Sequence, residues 1–151
     1  MIEYLSDIQL AFQAYSYGTT QVALVKPDLA DSVTVNSSTS AWTYGSWTEI
    51  VAASVLPNCM LTHFQLGDNA AFSVADYQIQ FGVGGAGAEV TITNTALLIR
   101  SSVGAQLVSG PIPLPFPARI AINSRVAARL TSGTAATESL GIKCLFVPTR
   151  L

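Results

Sequence analysis

Apolar and polar positions alternate along much of this chain with a period of two. Tyr77, Ile79, Phe81 and Val83 share one parity, while Gln78, Gln80 and Gly82 share the other. Successive side chains of an extended backbone point to opposite sides, so this spacing predicts a strand with one buried and one wet face. Val126, Ala128 and Leu130 alternate in the same way with Arg125, Ala127 and Arg129, and Ile142, Cys144 and Phe146 fall on a single face. Runs rich in β-formers over 47–55 and 60–66, with shorter ones over 89–93 and 96–100, predict further strands. Turn chemistry separates them at Gly67-Asp68-Asn69, Gly82 to Gly87, Ser109-Gly110-Pro111 and Thr131 to Thr137. No convincing helical period follows residue 40. About eight short strands with loops between them predict an all-β fold, an antiparallel β-sandwich of jelly-roll type. An immunoglobulin-like order is less attractive, since both tryptophans precede Cys59.

The first part of the chain reads differently. Residues 3–14 have the pattern of one or two amphipathic helical turns, and Tyr15 and Tyr17 follow. A strand-like run over 21–25 is broken by Pro27 and Asp28, and a Ser/Thr/Asn-rich loop or linker is expected over 32–40. The expected organisation is an extended N-terminal arm and linker over 1–40 and a sandwich over 41–151. Such an arm either grips a neighbouring chain or packs on its own domain as a terminal strand.

Composition changes the picture in one respect. Apolar residues make up 50% of the 151 and charged residues only 11%, against about 25% charged in ordinary soluble domains. A surface so poor in charge points to coverage by other subunits. The net charge is −2, without the basic excess of a nucleic-acid binder. Charge is unevenly spread, at −7 over residues 1–89 and +5 over residues 90–151. The two halves are therefore expected to pair, either within one sandwich or between subunits. Cys59 and Cys144 lie in apolar runs and read by default as free core thiols, with a disulfide between them as the alternative, and they lack the companions of a zinc site. The start lacks the basic region and long apolar stretch of a secretory leader. The charge-free run 101–118 carries Pro111, Pro113, Pro115 and Pro117, which argues against a membrane helix.

Catalytic and ligand-binding chemistry finds little support. Gly82-Val83-Gly84-Gly85-Ala86-Gly87 fits a dinucleotide fingerprint in spelling. A helix should follow it to receive the pyrophosphate, yet a strand-like run does, and no acid stands about 20 residues on. His63 is the only histidine; an isolated strand histidine reads as structural, which leaves no base for a hydrolytic triad. Asp68 and Asp76 flank one turn and offer a weak hydrolase or calcium reading. Trp47 is expected to fill the core. Trp42 and Tyr44 are candidates for sandwich-edge caps, a sugar platform or interface anchors. The alternating prolines of 111–117 predict an edge segment or a partner-binding strap, with Phe116 as a contact.

Three stretches, Trp42-Thr43-Tyr44-Gly45-Ser46-Trp47-Thr48-Glu49-Ile50-Val51, Asp76-Tyr77-Gln78-Ile79-Gln80-Phe81-Gly82-Val83-Gly84 and Ile122-Asn123-Ser124-Arg125-Val126-Ala127-Ala128-Arg129-Leu130, resemble small virion proteins of tailed bacteriophages. The similarity spans roughly 41–147 and leaves 1–40 outside it. It implies a jelly-roll module, commonly trimeric, serving as a capsid decoration (cement) protein or in head fibres and tails. The expected function is a non-enzymatic virion structural protein on the capsid surface, made in the host cytoplasm, that stabilises the head shell. Its expected partners are the major capsid protein or other virion proteins and copies of itself, most simply as a homotrimer. No cofactor, metal, nucleic acid or membrane is expected. Tyr15, Tyr17, Trp42, Tyr44 and Phe116 are the expected interface residues. The alternative is a tail or fibre module that binds a host-surface glycan.

Overall fold

The computed structural model describes residues 24–27, 32–67, 75–93, 97–100 and 110–149. Ten strands follow in chain order: β1 (Leu24–Lys26), β2 (Val33–Asn36), β3 (Thr48–Val51), β4 (Cys59–Gly67), β5 (Asp76–Val83), β6 (Val90–Thr91), β7 (Leu97–Arg100), β8 (Ile112–Ile120), β9 (Val126–Ser132) and β10 (Ser139–Pro148). They form two antiparallel sheets that pack face to face as a β-sandwich. The first sheet runs β1-β10-β4-β8, with β2 also on β10; the second runs β3-β9-β5-β6, with β7 also on β5. β1 pairs with β10 over 144–146 and β2 over 139–142, so the two share one place beside it. β6 and β7 likewise share the free side of β5, at 82–83 and 76–79. The pairings are nested: β1 and β2 with β10, β3 with β9, β4 with β8, and β5 with β6 and β7.

The core is built as the period of two dictates. Tyr77, Ile79 and Phe81 from β5, Val126, Ala128 and Leu130 from β9, and Ile142, Cys144 and Phe146 from β10 all bury completely in one cluster. The Phe64 and Phe81 rings meet across the sandwich with centroids 5.7 Å apart, a tilted arrangement that suits the ring quadrupoles. Cys59 and Cys144 are free and buried, and burial pushes the Cys59 thiol up to about 12 and raises that of Cys144 as well.

Strand β4 departs from simple alternation. Its core-facing residues are Cys59, Leu61, Phe64 and Leu66, with a step of three in the middle. The ladder shifts register there against both neighbours. Thr62 is the extra residue of this bulge, and its hydroxyl donates to the Leu145 carbonyl at 3.3 Å. The bulge keeps Phe64 in the core and takes His63 out of the core-facing series, opposite Leu145 and Pro113.

Two expectations need correction. Within the expected arm and linker, β1 falls partly on the strand-like run expected over 21–25 and packs on its own domain, as the terminal-strand alternative has it, whereas Val33 to Asn36 form a strand where a loop is expected. The reason is a short alternation inside a polar stretch: Val35 is completely buried while Thr34 and Asn36 face out. Residues 1–23 lie outside those described. Trp47 does not fill the core. Thr48 pairs with core-facing Ala128 and Glu49 with Ala127, so the parity that buries Ile50 sends Trp47 and Glu49 to the outer face.

Candidate functional site

The outer face of the second sheet is set by two strands. β9 and the residue before it present Arg125, Ala127 and Arg129, and β5 presents Gln78, Gln80 and Gly82. Register places Arg129 opposite Gln80 and Ala127 opposite Gly82. The Arg129 guanidinium donates through Nε and Nη2 to the Gln80 Oε1, at 2.9 and 2.6 Å. It also lies 4.6 Å from the Tyr44 ring centroid and 4.5 Å from that of Trp47, a cation held against two aromatic rings. The Tyr44 hydroxyl donates to Gln78 Oε1 at 3.3 Å. Its burial raises the phenol above the usual value, partly offset by Arg129. A Cβ on Gly82 would sit 2.8 Å from the Trp47 ring, so this glycine makes room for the indole on the sheet.

Farther along the same face, Arg125 bridges two acids. Its Nε donates to Glu49 and its Nη1 to Glu89, both at 2.7 Å, and Nη1 also reaches the Gly84 carbonyl at 3.3 Å. Removal from water alone would raise the Glu89 carboxyl; the Arg125 hydrogen bond, backbone amide donors and the Arg125 charge outweigh that and hold it below its ordinary value. Arg125 is raised in turn, the two carboxylates outweighing desolvation. Acids from the negative half of the chain thus meet a base from the positive half within one sandwich.

Where β2 ends, a groove of about 420 Å³ opens between residues 36–39 and 44–48. Asn36, Ser38, Thr39, Ser46, Thr48 and Tyr44 line it, with Thr137 from the segment before β10. Gly45 makes the close approach possible, since a Cβ there would collide with the Asn36 carbonyl oxygen. The wall behind is tied down by reciprocal bonds. Ser37 N–H donates to the Glu138 carbonyl at 2.8 Å, and Glu138 N–H donates to the Ser37 hydroxyl at 2.9 Å. The buried Glu138 carboxylate accepts from the Thr134 hydroxyl at 3.1 Å and from the Tyr77 hydroxyl at 3.4 Å.

The opposite sheet carries a different feature. Among the described residues β8 is an edge strand. Its ladder with β4 pairs Pro113 with His63 and Ala118 with Leu61, so Leu114 to Pro117 stand opposite the single Thr62. Pro115 and Pro117 have no N–H to give to a ladder. The segment bulges; Leu114 turns into the core and Phe116 turns out, 78% exposed.

Among the described residues, the expected interface residues do not form one patch. Tyr15 and Tyr17 lie outside the described residues. Trp42 is 52% exposed and its ring packs against Gly133, while its backbone N–H donates to the Ser132 carbonyl at 2.7 Å. Tyr44 is half-buried beside Arg129, and Phe116 belongs to the other sheet. His63 is buried, and burial lowers its imidazole below 6.5. Asp76 pairs in register with Arg100, while Asp68 lies outside the described residues. The glycine run joins β5 to β6 as a hairpin loop, without a helix. Among the described residues no three His, Cys, Asp or Glu side chains gather as a metal site, and no helix is long and apolar enough to cross a membrane. The outward parity of Arg129 and Gln80 is legible in the sequence; their meeting with Tyr44 and Trp47 is not, because it depends on which strands lie side by side. Searches of protein-family models, curated proteins and solved structures yield no match for this chain.

Proposed function

We propose that this chain is a non-enzymatic structural protein of a bacteriophage virion, a decoration protein that docks on the head shell as a homotrimer. The observation that carries the reading is Phe116: a large aromatic side chain, 78% exposed, on a proline-stiffened bulge at a sheet edge. Exposing it to water is unfavourable, while seating it in a partner's pocket releases the free energy of burying its ring. Prolines on both sides limit the conformations open to the segment, so little order is lost on docking. Aromatic anchors of this kind dominate the energetics of protein interfaces.

Three further features support the assignment. Charged residues are scarce over the whole chain, and the outer-face arginines spend their charge inside the molecule. Trp42, Val55, Val90 and Ile122 are also exposed and available as further contacts. The nested pairing supports reading the sandwich as a jelly roll. Counting β1 with β2 and β6 with β7 as single places leaves eight, which pair first with last and inward from there. That is the order made by rolling up one long hairpin, and jelly rolls build capsid proteins and lectins.

The test is the mass of the full chain by light scattering, alone and after co-sedimentation with empty head shells. A trimer that pellets with shells, and a Phe116→Ser chain that no longer does, is the expected result. A monomer that ignores shells overturns the proposal.

A further inference from the structure

We infer that the groove between residues 36–39 and 44–48 is a binding site for a short, neutral saccharide. This inference is independent of docking through Phe116, which belongs to the opposite sheet. The groove's volume of about 420 Å³ falls within the range of about 300–1,000 Å³ occupied by small-ligand clefts. Its lining selects the ligand class. No Asp, Glu, Lys or Arg contributes to it, so a phosphate, sulfate, carboxylate or ammonium would be desolvated there without a counter-charge. Tyr44 is its single aromatic and no aliphatic side chain lines it, so a purely apolar ligand would gain little. Hydroxyls and one amide make up the rest, with Thr39, Ser46 and Thr137 exposed. Such groups both donate and accept, as sugar hydroxyls do, and one aromatic wall beside them suits the apolar face of a pyranose ring.

The groove is also held in shape before any ligand arrives. Arg129 packs on the Tyr44 ring from the sheet side, and Gln78 anchors its hydroxyl. The reciprocal Ser37–Glu138 bonds fix the wall that carries Ser38 and Thr39, and Gly45 lets segment 44–48 lie flush against the end of β2. A site whose polar groups are already placed spends little ordering free energy on binding.

The experiment is a titration of the ¹⁵N-labelled full chain with maltotriose, chitotriose and a fucosylated galactose oligosaccharide. A sialylated oligosaccharide serves as the anionic comparison. The expected result is a shift of the Ser38, Thr39, Tyr44, Ser46 and Thr137 amides with at least one neutral probe, and a weaker response to the sialylated one. Tyr44→Ala is expected to weaken binding at least about tenfold. Thr39→Trp, placed at an exposed position on the groove's lip, is expected to abolish it with the thermal transition unchanged. It keeps the test decisive should Tyr44→Ala disturb the stack. Phe116→Ser is expected to bind sugar normally while losing shells, which separates this site from the assembly surface. The inference is overturned by silence of the groove amides at about ten millimolar of each neutral probe, beyond the range of weak specific binding, by shifts confined to another surface, or by preference for the sialylated probe.

Discussion

Two aromatic-bearing regions of this sandwich solve the same problem in opposite ways. On the second sheet, Tyr44 and Trp47 lie on the solvent side, yet the chain covers them itself: Arg129 stacks on both rings, Gln80 orients the guanidinium, and Gly82 leaves space beneath the indole. On β8, an edge strand among the described residues, Phe116 stands on a bulge, 78% exposed and with no such cover from them. Exposure of an aromatic residue in sequence therefore says little; what matters is whether the opposite strand supplies a cation, an amide and a gap. Where it does, the rings are braced by their own chain and only what lines the groove, as Tyr44 does, can meet a ligand. Where it does not, the whole ring is available to another molecule.

The sharpest way to break the first region is Gly45→Ala. The added methyl would overlap the Asn36 carbonyl oxygen, a backbone atom that cannot swing aside, so a loss of roughly 3 kcal/mol is expected in urea unfolding. An unchanged midpoint would mean that segment 44–48 does not lie against β2 as described. Arg129→Ala comes next, at about 2 kcal/mol, from two lost cation–ring contacts and a charged hydrogen bond. Arg129→Lys should recover only part of this, because an ammonium cannot stack as a plane and reach Gln80 at once. Trp47 fluorescence should move to the red in the alanine variant and stay near native in the lysine one.

Acid should weaken the fold in two smaller steps. The unfolded His63 imidazole takes up a proton near 6.5, whereas the buried one does so only at lower pH. Its contribution is complete above 6.5 and is lost as pH falls through the folded value. Glu89 follows the same sign at lower pH. Its contribution is present above the ordinary carboxylate value of 4.5 and is lost as pH falls through its depressed folded value. Thermal unfolding against pH should show the first step disappear in His63→Gln and the second in Glu89→Gln; a flat profile between pH 7 and pH 5 would contradict the burial of His63. The smallest effect on stability belongs to Phe116→Ser, within about 0.5 kcal/mol of the parent, since the ring touches little of its own chain. A large loss there would show that Phe116 braces the edge, and the contrast between the two regions would fail.

Much of the fold was legible because burial imposes parity. The alternations at 77–83 and 126–130 named the core residues of β5 and β9 correctly. Trp47 was misplaced for an instructive reason: size suggested the core, but Ile50 three positions on claims the inward parity, and a strand cannot grant both. β2 was hidden because its two valines sit among Ser, Thr and Asn, where composition masks a four-residue alternation. The groove left no signature in sequence, since its walls come from segments some 90 residues apart, 36–48 and Thr137.

Local pattern thus determined on its own that the chain is a β-sandwich, which faces of its strands are apolar, and that prolines would end a sheet at 111–117. Tertiary structure decided the rest. It chose the strand order, placed Arg125 between Glu49 and Glu89, set Arg129 between two rings, and bulged β4 at Thr62 so that Phe64 reaches the core. The physical reason is range. Alternation is a property of neighbouring residues on one strand, whereas register, stacking and grooves depend on which distant strand lies alongside, and that follows only from the packing of the whole chain.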